Sequence, residues 1–257
     1  MNDLETYLNF AHQLADASAE VARSIWLGDL EVAYKEDGSS LTAADLKVEE
    51  IWREKIAAQF PEHSILGEEF GVEEGASAYS WALDPIDGTR QFGTGTLNFS
   101  SLISLCRDGI PVLGLMDMPL VNVRFAATAG QGTRMNGRLV QASSRETLDD
   151  AVVSLSNPDS FSGESAAVFE RLRSVGRLRV FDAGSPVYGS VARGLVDTCV
   201  NGVDLDAFDI CALCPIIQEA GGVITDWQGR ALTLESAGGI VASSTARLHE
   251  AVLEKLA

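Results

Sequence analysis

The chain has 257 residues, 46% hydrophobic and 22% charged, an ordinary balance for a folded globular protein that excludes wholesale disorder. Acidic residues outnumber basic ones 37 to 19, giving a net charge of −18; such a surface repels nucleic acid and anionic membranes and draws in cations. This length builds one large domain or two smaller ones sharing a face.

From the N-terminus, residues 3 to 26 carry apolar side chains at helical spacing, including Leu4, Tyr7, Leu8, Ala11, Leu14 and Ala15, and Gly28 punctuates the end. Met1 to Glu5 lacks the basic and apolar regions of a secretory signal, and no apolar run reaches membrane-spanning length. A cytoplasmic location is the default expectation. Lys35 to Ser40 reads as a polar loop. Thr42 is the expected N-cap of a second helix that runs to about Phe60 and stops at Pro61, placing Asp45 in its first turn, near the positive end of the helix dipole.

Short β-like runs follow. Ser64 to Gly67 leads into Glu68-Glu69, and Tyr79 to Leu83 leads into Asp84. Ser100 to Cys106, Val112 to Met116 and Val121 to Ala127 are further strands. Gly130, Gly132 and Gly137 mark a junction, so an N-terminal α+β half is expected over 1–135 and a C-terminal α/β half over 136–257. In the second half, strands at 151–156, 178–181, 196–200, 223–225 and 239–242 alternate with helices at 163–174, 186–193, 209–220 and 244–256, the pattern of an α/β layer. Cys211 and Cys214 form a lone C-x-x-C with no second pair and no neighbouring histidine, so core packing is expected rather than zinc.

The chemistry centres on Asp84-Pro85-Ile86-Asp87-Gly88-Thr89. Two carboxylates three positions apart at the end of an apolar run can converge on one site if the chain turns there. Gly88 permits close backbone approach, and a helix beginning after it would offer free N–H groups to an anion. Clustered carboxylate and carbonyl oxygens suit hard cations such as magnesium. Asp-Pro and Asp-Gly are also ordinary turn dipeptides, so the reading depends on other acidic residues. Glu68 ends an apolar run, where an acidic group is costly to bury without a positive partner. Asp209 heads the apolar helix 209–220, which alone suits an N-cap.

These segments resemble the signatures of the inositol monophosphatase family: Leu41-Thr42-Ala43-Ala44-Asp45, Gly67-Glu68-Glu69, Asp84 to Thr89, Phe208-Asp209-Ile210 and Glu219-Ala220-Gly221-Gly222, in the family's order over nearly the whole chain. The resemblance implies a layered α-β-α-β-α sandwich, a homodimer, and magnesium-dependent hydrolysis of a small soluble phosphate monoester. Two or three magnesium ions are implied, with manganese a possible substitute. Glu68, Asp84, Asp87 and the Ile86 carbonyl would hold one ion, and Asp84, Asp87 and Asp209 a second. Asp45 and Thr89, with Glu68, would act on the attacking water. The Gly88 and Thr89 N–H groups would hold phosphate, and Gly184-Ser185 matches a substrate loop. A catalytically silent binding protein of the same fold is the alternative, although every expected metal carboxylate is present.

The stretch Thr89-Arg90-Gln91-Phe92, with Val112-Leu113-Gly114, Asp117-Met118-Pro119, Asp204-Leu205 and Ile224-Thr225-Asp226-Trp227, is closer to the histidinol-phosphate phosphatase branch. Asp206-Ala207-Phe208 departs from that branch's lysine-proline-tyrosine. Inositol monophosphatases carry a glutamate that contacts the sugar alcohol seven residues before the last metal aspartate; here that position is Gly202. L-Histidinol phosphate is therefore the expected substrate, with Asp204 or Glu69 facing its amine. Inositol, sugar or nucleotide phosphates are the alternatives.

Overall fold

The computed structural model describes residues 3–28, 30–35 and 40–256. The predicted loop at 35–40 falls mostly outside them. The described residues form fifteen strands and eight α-helices. The first half contains α1 (Asp3–Leu27), β1 (Val32–Tyr34), β2 (Ser40–Thr42), α2 (Ala43–Gln59), β3 (Ser64–Gly67), β4 (Gly71–Glu73), β5 (Tyr79–Asp87) and α3 (Thr89–Gly93). It continues with β6 (Ser100–Arg107), β7 (Ile110–Met118), β8 (Val123–Thr128), β9 (Thr133–Met135) and β10 (Arg138–Leu139). The second contains β11 (Val152–Leu155), α4 (Ala166–Leu172), β12 (Leu178–Phe181), α5 (Pro186–Ala192), β13 (Thr198–Val200), α6 (Ala207–Ile210), α7 (Leu213–Gln218), β14 (Val223–Asp226), β15 (Ile240–Ser243) and α8 (Ala246–Leu256).

β3 to β10 make an eight-stranded sheet in the order β10-β9-β8-β7-β6-β5-β3-β4, and β11 to β15 a five-stranded sheet in the order β12-β11-β13-β15-β14. The alternation of elements in the second half predicts an α/β layer, and the layer is mixed. β12, β11 and β13 run parallel, whereas β15 is antiparallel to both β13 and β14.

Strand periodicity sets the layers, because successive side chains point to opposite faces. Trp81, Leu83, Ile103, Leu105, Leu113 and Leu115 pack against α1 and α2. Leu102, Met116 and Phe125 point the other way, into a core shared with Tyr188 of α5, Ile216 and Ile217 of α7, and Ile240 and Ala242 of the second sheet. The far face of that sheet is covered by Val168 and Leu172 of α4 and Leu248 and Val252 of α8. The order α-β-α-β-α follows, as the resemblance implies. Trp52 on α2 is fully buried and donates its indole N–H to the Leu14 carbonyl at 2.9 Å, which ties the outer helix pair together.

The helix expected over 209–220 is two shorter ones, α6 and α7, with a joint at Cys211–Ala212. Pro215 explains the interruption: it has no N–H to give the Cys211 carbonyl, and its ring crowds the preceding turn. All four cysteines are buried and free, so the C-x-x-C packs in the core.

Candidate metal and phosphate site

Three carboxylates come together where β5 ends and α6 begins. Each of Asp84, Asp87 and Asp209 offers an oxygen, and these oxygens lie within 4.8 Å of one another. β5 brings in the first two. Its pairing with β6 is regular to Asp84 and resumes, shifted, at Asp87, so the Pro85-Ile86 step leaves the ladder there. The Ser101 hydroxyl donates to the Pro85 carbonyl at 2.6 Å and fixes that step. Gly88 then takes φ +89°, a left-handed conformation that glycine adopts freely, and the chain turns into α3.

Asp209 arrives by a route the sequence reading misses. The N-cap of α6 is Asp206, not Asp209. Asp209 is the reciprocal partner in the capping box, its Oδ2 accepting the Asp206 N–H at 2.7 Å. The backbone thereby fixes the carboxylate that joins the cluster.

Electrostatics show what the cluster lacks. Asp84 is buried, and neither of its carboxylate oxygens has a hydrogen-bond partner. An unpaired buried carboxylate is among the most costly arrangements in a protein. Burial, then Glu68, Asp87 and Asp209, raise the Asp84 pKa well above the ordinary range. Burial and Asp87 do the same to Asp209. Asp87 is pushed up to about 6 by burial, against hydrogen bonding from Ser185. Converging oxygen donors with no internal cation fit a hard divalent ion, which would restore the charged forms.

Glu68 stands outside this three-carboxylate cluster. Its Oε1 is 3.0 Å from Lys35 Nζ, which also reaches Glu69 Oε1 at 2.8 Å. Burial would lower the Lys35 pKa, but its hydrogen bonds to Glu69 and Glu68 outweigh it and raise it. Burial carries Glu69 up to about 7 despite Lys35. Lys35 was not among the residues picked from the sequence; its only signal is a basic residue in the polar loop ahead of an acidic pair.

Asp45 and Thr89 meet. Thr89 Oγ1 lies 3.1 Å from Asp45 Oδ1 and 3.1 Å from the Ile86 carbonyl. Asp45 Oδ2 accepts the Thr42 N–H at 2.7 Å and the Thr42 hydroxyl at 2.6 Å, so the N-cap that starts α2 also orients this carboxylate. Asp45 is fully buried, and burial raises its pKa.

The second half closes the cleft. Gly184 has φ +62°, and a Cβ there would meet the Asn98 carbonyl oxygen at 2.4 Å. The next residue, Ser185, donates its N–H to Asp87 Oδ2 at 3.2 Å and shares a 2.6 Å hydroxyl contact with Ser100. The cleft, about 580 Å³, is lined by Glu68, Asp87, Asp209 and Asp204 and by Asp182 and Asn157, which the sequence reading did not single out. Burial raises the Asp204 pKa, with Arg90 opposing it.

Comparison with known proteins agrees with this architecture. The inositol monophosphatase family model matches residues 3–257. The chain is 34% identical to a bifunctional phosphatase IMPL2 of Arabidopsis thaliana, over 99% of this chain and 76% of that one. It is 32% identical to a histidinol-phosphatase of Chlorobaculum parvum, over 90% and 92% of the two chains. Among solved structures, an inositol monophosphatase from Zymomonas mobilis superposes with a TM-score of 0.90 at 32% identity, covering 100% of this chain and 99% of that one. Enzymes of this family generally use magnesium, and the acidic cluster has the donors for it. The chain belongs to the inositol monophosphatase family and is a phosphatase.

Proposed function

We propose that the chain hydrolyses L-histidinol phosphate with magnesium at the site formed by Glu68, Asp84, the Ile86 carbonyl, Asp87 and Asp209. The observation that carries the substrate is at Gly202. A Cβ there would lie 2.2 Å from the Ser160 carbonyl oxygen, so no side chain fits where a glutamate would meet a sugar alcohol. The turn Pro158–Ser160 fills that space, held by the Val203 N–H donating to Ser160 O at 2.9 Å. Asp204 lines the same cleft, and a carboxylate there suits the ammonium of histidinol phosphate better than the neutral hydroxyls of inositol.

The residues divide the work as follows. N–H groups of Gly88 and Thr89, at the open start of α3, hold phosphate oxygens. Ser185, fixed to Asp87, lines the same floor. Bound magnesium supplies charge neutralisation of the phosphate and makes water a better nucleophile. Thr89 Oγ1 donates to Asp45 and accepts from the attacking water. As the water oxygen bonds to phosphorus, its proton passes through Thr89 to Asp45, the P–O bond to the alcohol breaks, and histidinol leaves with a proton from solvent. The raised Asp45 pKa suits a proton acceptor.

Thr89→Ala is expected to lower kcat by about 100-fold with KM little changed, since it removes the proton path and not the phosphate contacts. Steady-state kinetics on one ester check this; a proportionate rise in KM with kcat intact would assign Thr89 to binding instead. The substrate is tested by kcat/KM for L-histidinol phosphate against myo-inositol 1-phosphate, both with magnesium. Preference for histidinol phosphate is expected, reduced roughly tenfold in Asp204→Asn. A tenfold preference for the inositol ester, or no turnover of histidinol phosphate, would end this reading and leave the phosphatase assignment intact.

A further inference from the structure

The cleft has an acidic feature that phosphate hydrolysis does not use. Its lining carboxylates are Glu68, Asp87, Asp209, Asp182 and Asp204, and its one basic lining residue among those described is Arg90. Asp87 and Asp209 belong to the carboxylate cluster, and Glu68 to the metal site proposed above. Arg90 is turned to Asp159, 3.7 Å away, in an exposed pair. Asp182 and Asp204 are left as surplus negative charge, and neither has an ion-pair partner among the described residues.

Asp182 is the more firmly placed of the two. It follows β12 at φ +50°, a backbone conformation that few residues other than glycine adopt. Aspartate and asparagine tolerate it better than most, and Asp108, Asn122 and Asn136 adopt it too. Three contacts impose it here. The Asp182 N–H donates to the Leu155 carbonyl at 3.0 Å. Its own carbonyl accepts from Asn98 Nδ2 at 2.8 Å, and its Oδ1 accepts from Gln91 Nε2 at 3.1 Å. One of these donors, Gln91, also lines the cleft. Oδ2 carries no hydrogen bond from the described residues, so a fixed carboxylate keeps one oxygen for a visitor.

We propose that Asp182 is a specificity-determining residue that receives the cationic end of the leaving alcohol, so that the enzyme selects phosphate esters of amino alcohols. This rests on the substrate reading above and extends it from one ester to a class. Asp182 takes no part in the chemical step; it lowers KM for a leaving group that carries an ammonium and is indifferent to a neutral one.

The test uses three esters with saturating magnesium: L-histidinol phosphate, O-phosphoethanolamine and glycerol 2-phosphate, the last with a neutral leaving group. Asp182→Asn keeps the acceptor for Gln91 and tolerates the left-handed backbone, so it removes charge alone. Asp182→Gly keeps the backbone and removes the side chain. In both variants KM for the two cationic esters should rise roughly ten- to hundredfold with kcat near wild type, a charged hydrogen bond being lost. kcat/KM for glycerol 2-phosphate should stay within about twofold of wild type, as no charge-dependent contact is involved. Equal losses on all three esters, or no loss on the cationic ones, would overturn the proposal. Wild-type enzyme that splits glycerol 2-phosphate and neither cationic ester overturns this proposal and the substrate reading together. Asp182-dependent turnover of phosphoethanolamine without turnover of histidinol phosphate overturns the substrate reading only and supports the proposal.

Discussion

Asp87→Asn should reduce turnover by well over ~100-fold, because even an outer partner of a metal site costs up to that much when removed. The same substitution should stabilise the metal-free protein. Asp84, Asp87 and Asp209 hold oxygens within 4.8 Å of one another, and Asp84 has no hydrogen-bond partner to offset their repulsion. Removing one charge relieves that repulsion, and the asparagine carbonyl still accepts the Ser185 N–H. With chelator present, the variant's Tm should therefore exceed wild type by a few degrees, at roughly 2–4 °C per kcal/mol. With magnesium the order reverses. Wild type gains about 2.7 kcal/mol at a hundredfold excess over Kd, and the variant gains little. Thermal unfolding with and without magnesium reads both signs, and wild-type turnover should disappear with chelator. A variant that melts lower than wild type in chelator would mean that Asp87 supports the fold through its charge and does not sit in a repulsive cluster.

Gly114→Ala should be strongly destabilising for a single added methyl group. Gly114 lies in β7, and a Cβ there would stand 2.0 Å from the Ala212 carbonyl oxygen. Both sides of the contact are backbone, one inside a sheet and the other in the joint between α6 and α7, so neither yields by rotating a side chain. Overpacking of this kind costs about 1–3 kcal/mol or more. The Tm should fall by roughly 3–10 °C. The joint lies just past Asp209, so the shift also moves a carboxylate of the proposed metal site, and the residual fold should need more magnesium for half-maximal activity. An unchanged Tm and magnesium requirement would show that the two layers can separate there without cost.

Local signals made much of the fold legible. Thr42 and Asp45 announce the start of α2, and both ends of the capping box form. Alternating apolar residues in Ser100–Arg107 and Ile110–Met118 specify two-faced strands, and they are buried on both faces. The acidic residues Asp84 and Asp87 are three positions apart in sequence, so their convergence needs only a local break in the strand, and the Pro85-Ile86 step supplies it. What escaped depends on distant partners. Asp209 looks like an N-cap because an acidic residue ahead of an apolar helix usually is one; the nearby Asp206 wins the position and Asp209 takes the reciprocal one. Lys35 and Asp182 carry no periodic signal at all. Their placement is visible only when Glu68 and Gln91 stand across from them.

The site's construction also fixes when it can exist. The contacts that close the cleft join residues far apart in the chain: 98 positions for the Ser185–Asp87 hydrogen bond and 91 for Gln91–Asp182. The eight-stranded sheet, by contrast, is largely a run of neighbouring antiparallel pairs. Short-range pairings close small loops and form early, whereas long-range ones must await both partners. During refolding, backbone structure should therefore appear before any affinity for magnesium. A nascent chain acquires its strands as they are made, but it becomes an enzyme only after the segment that carries Asp209 has docked.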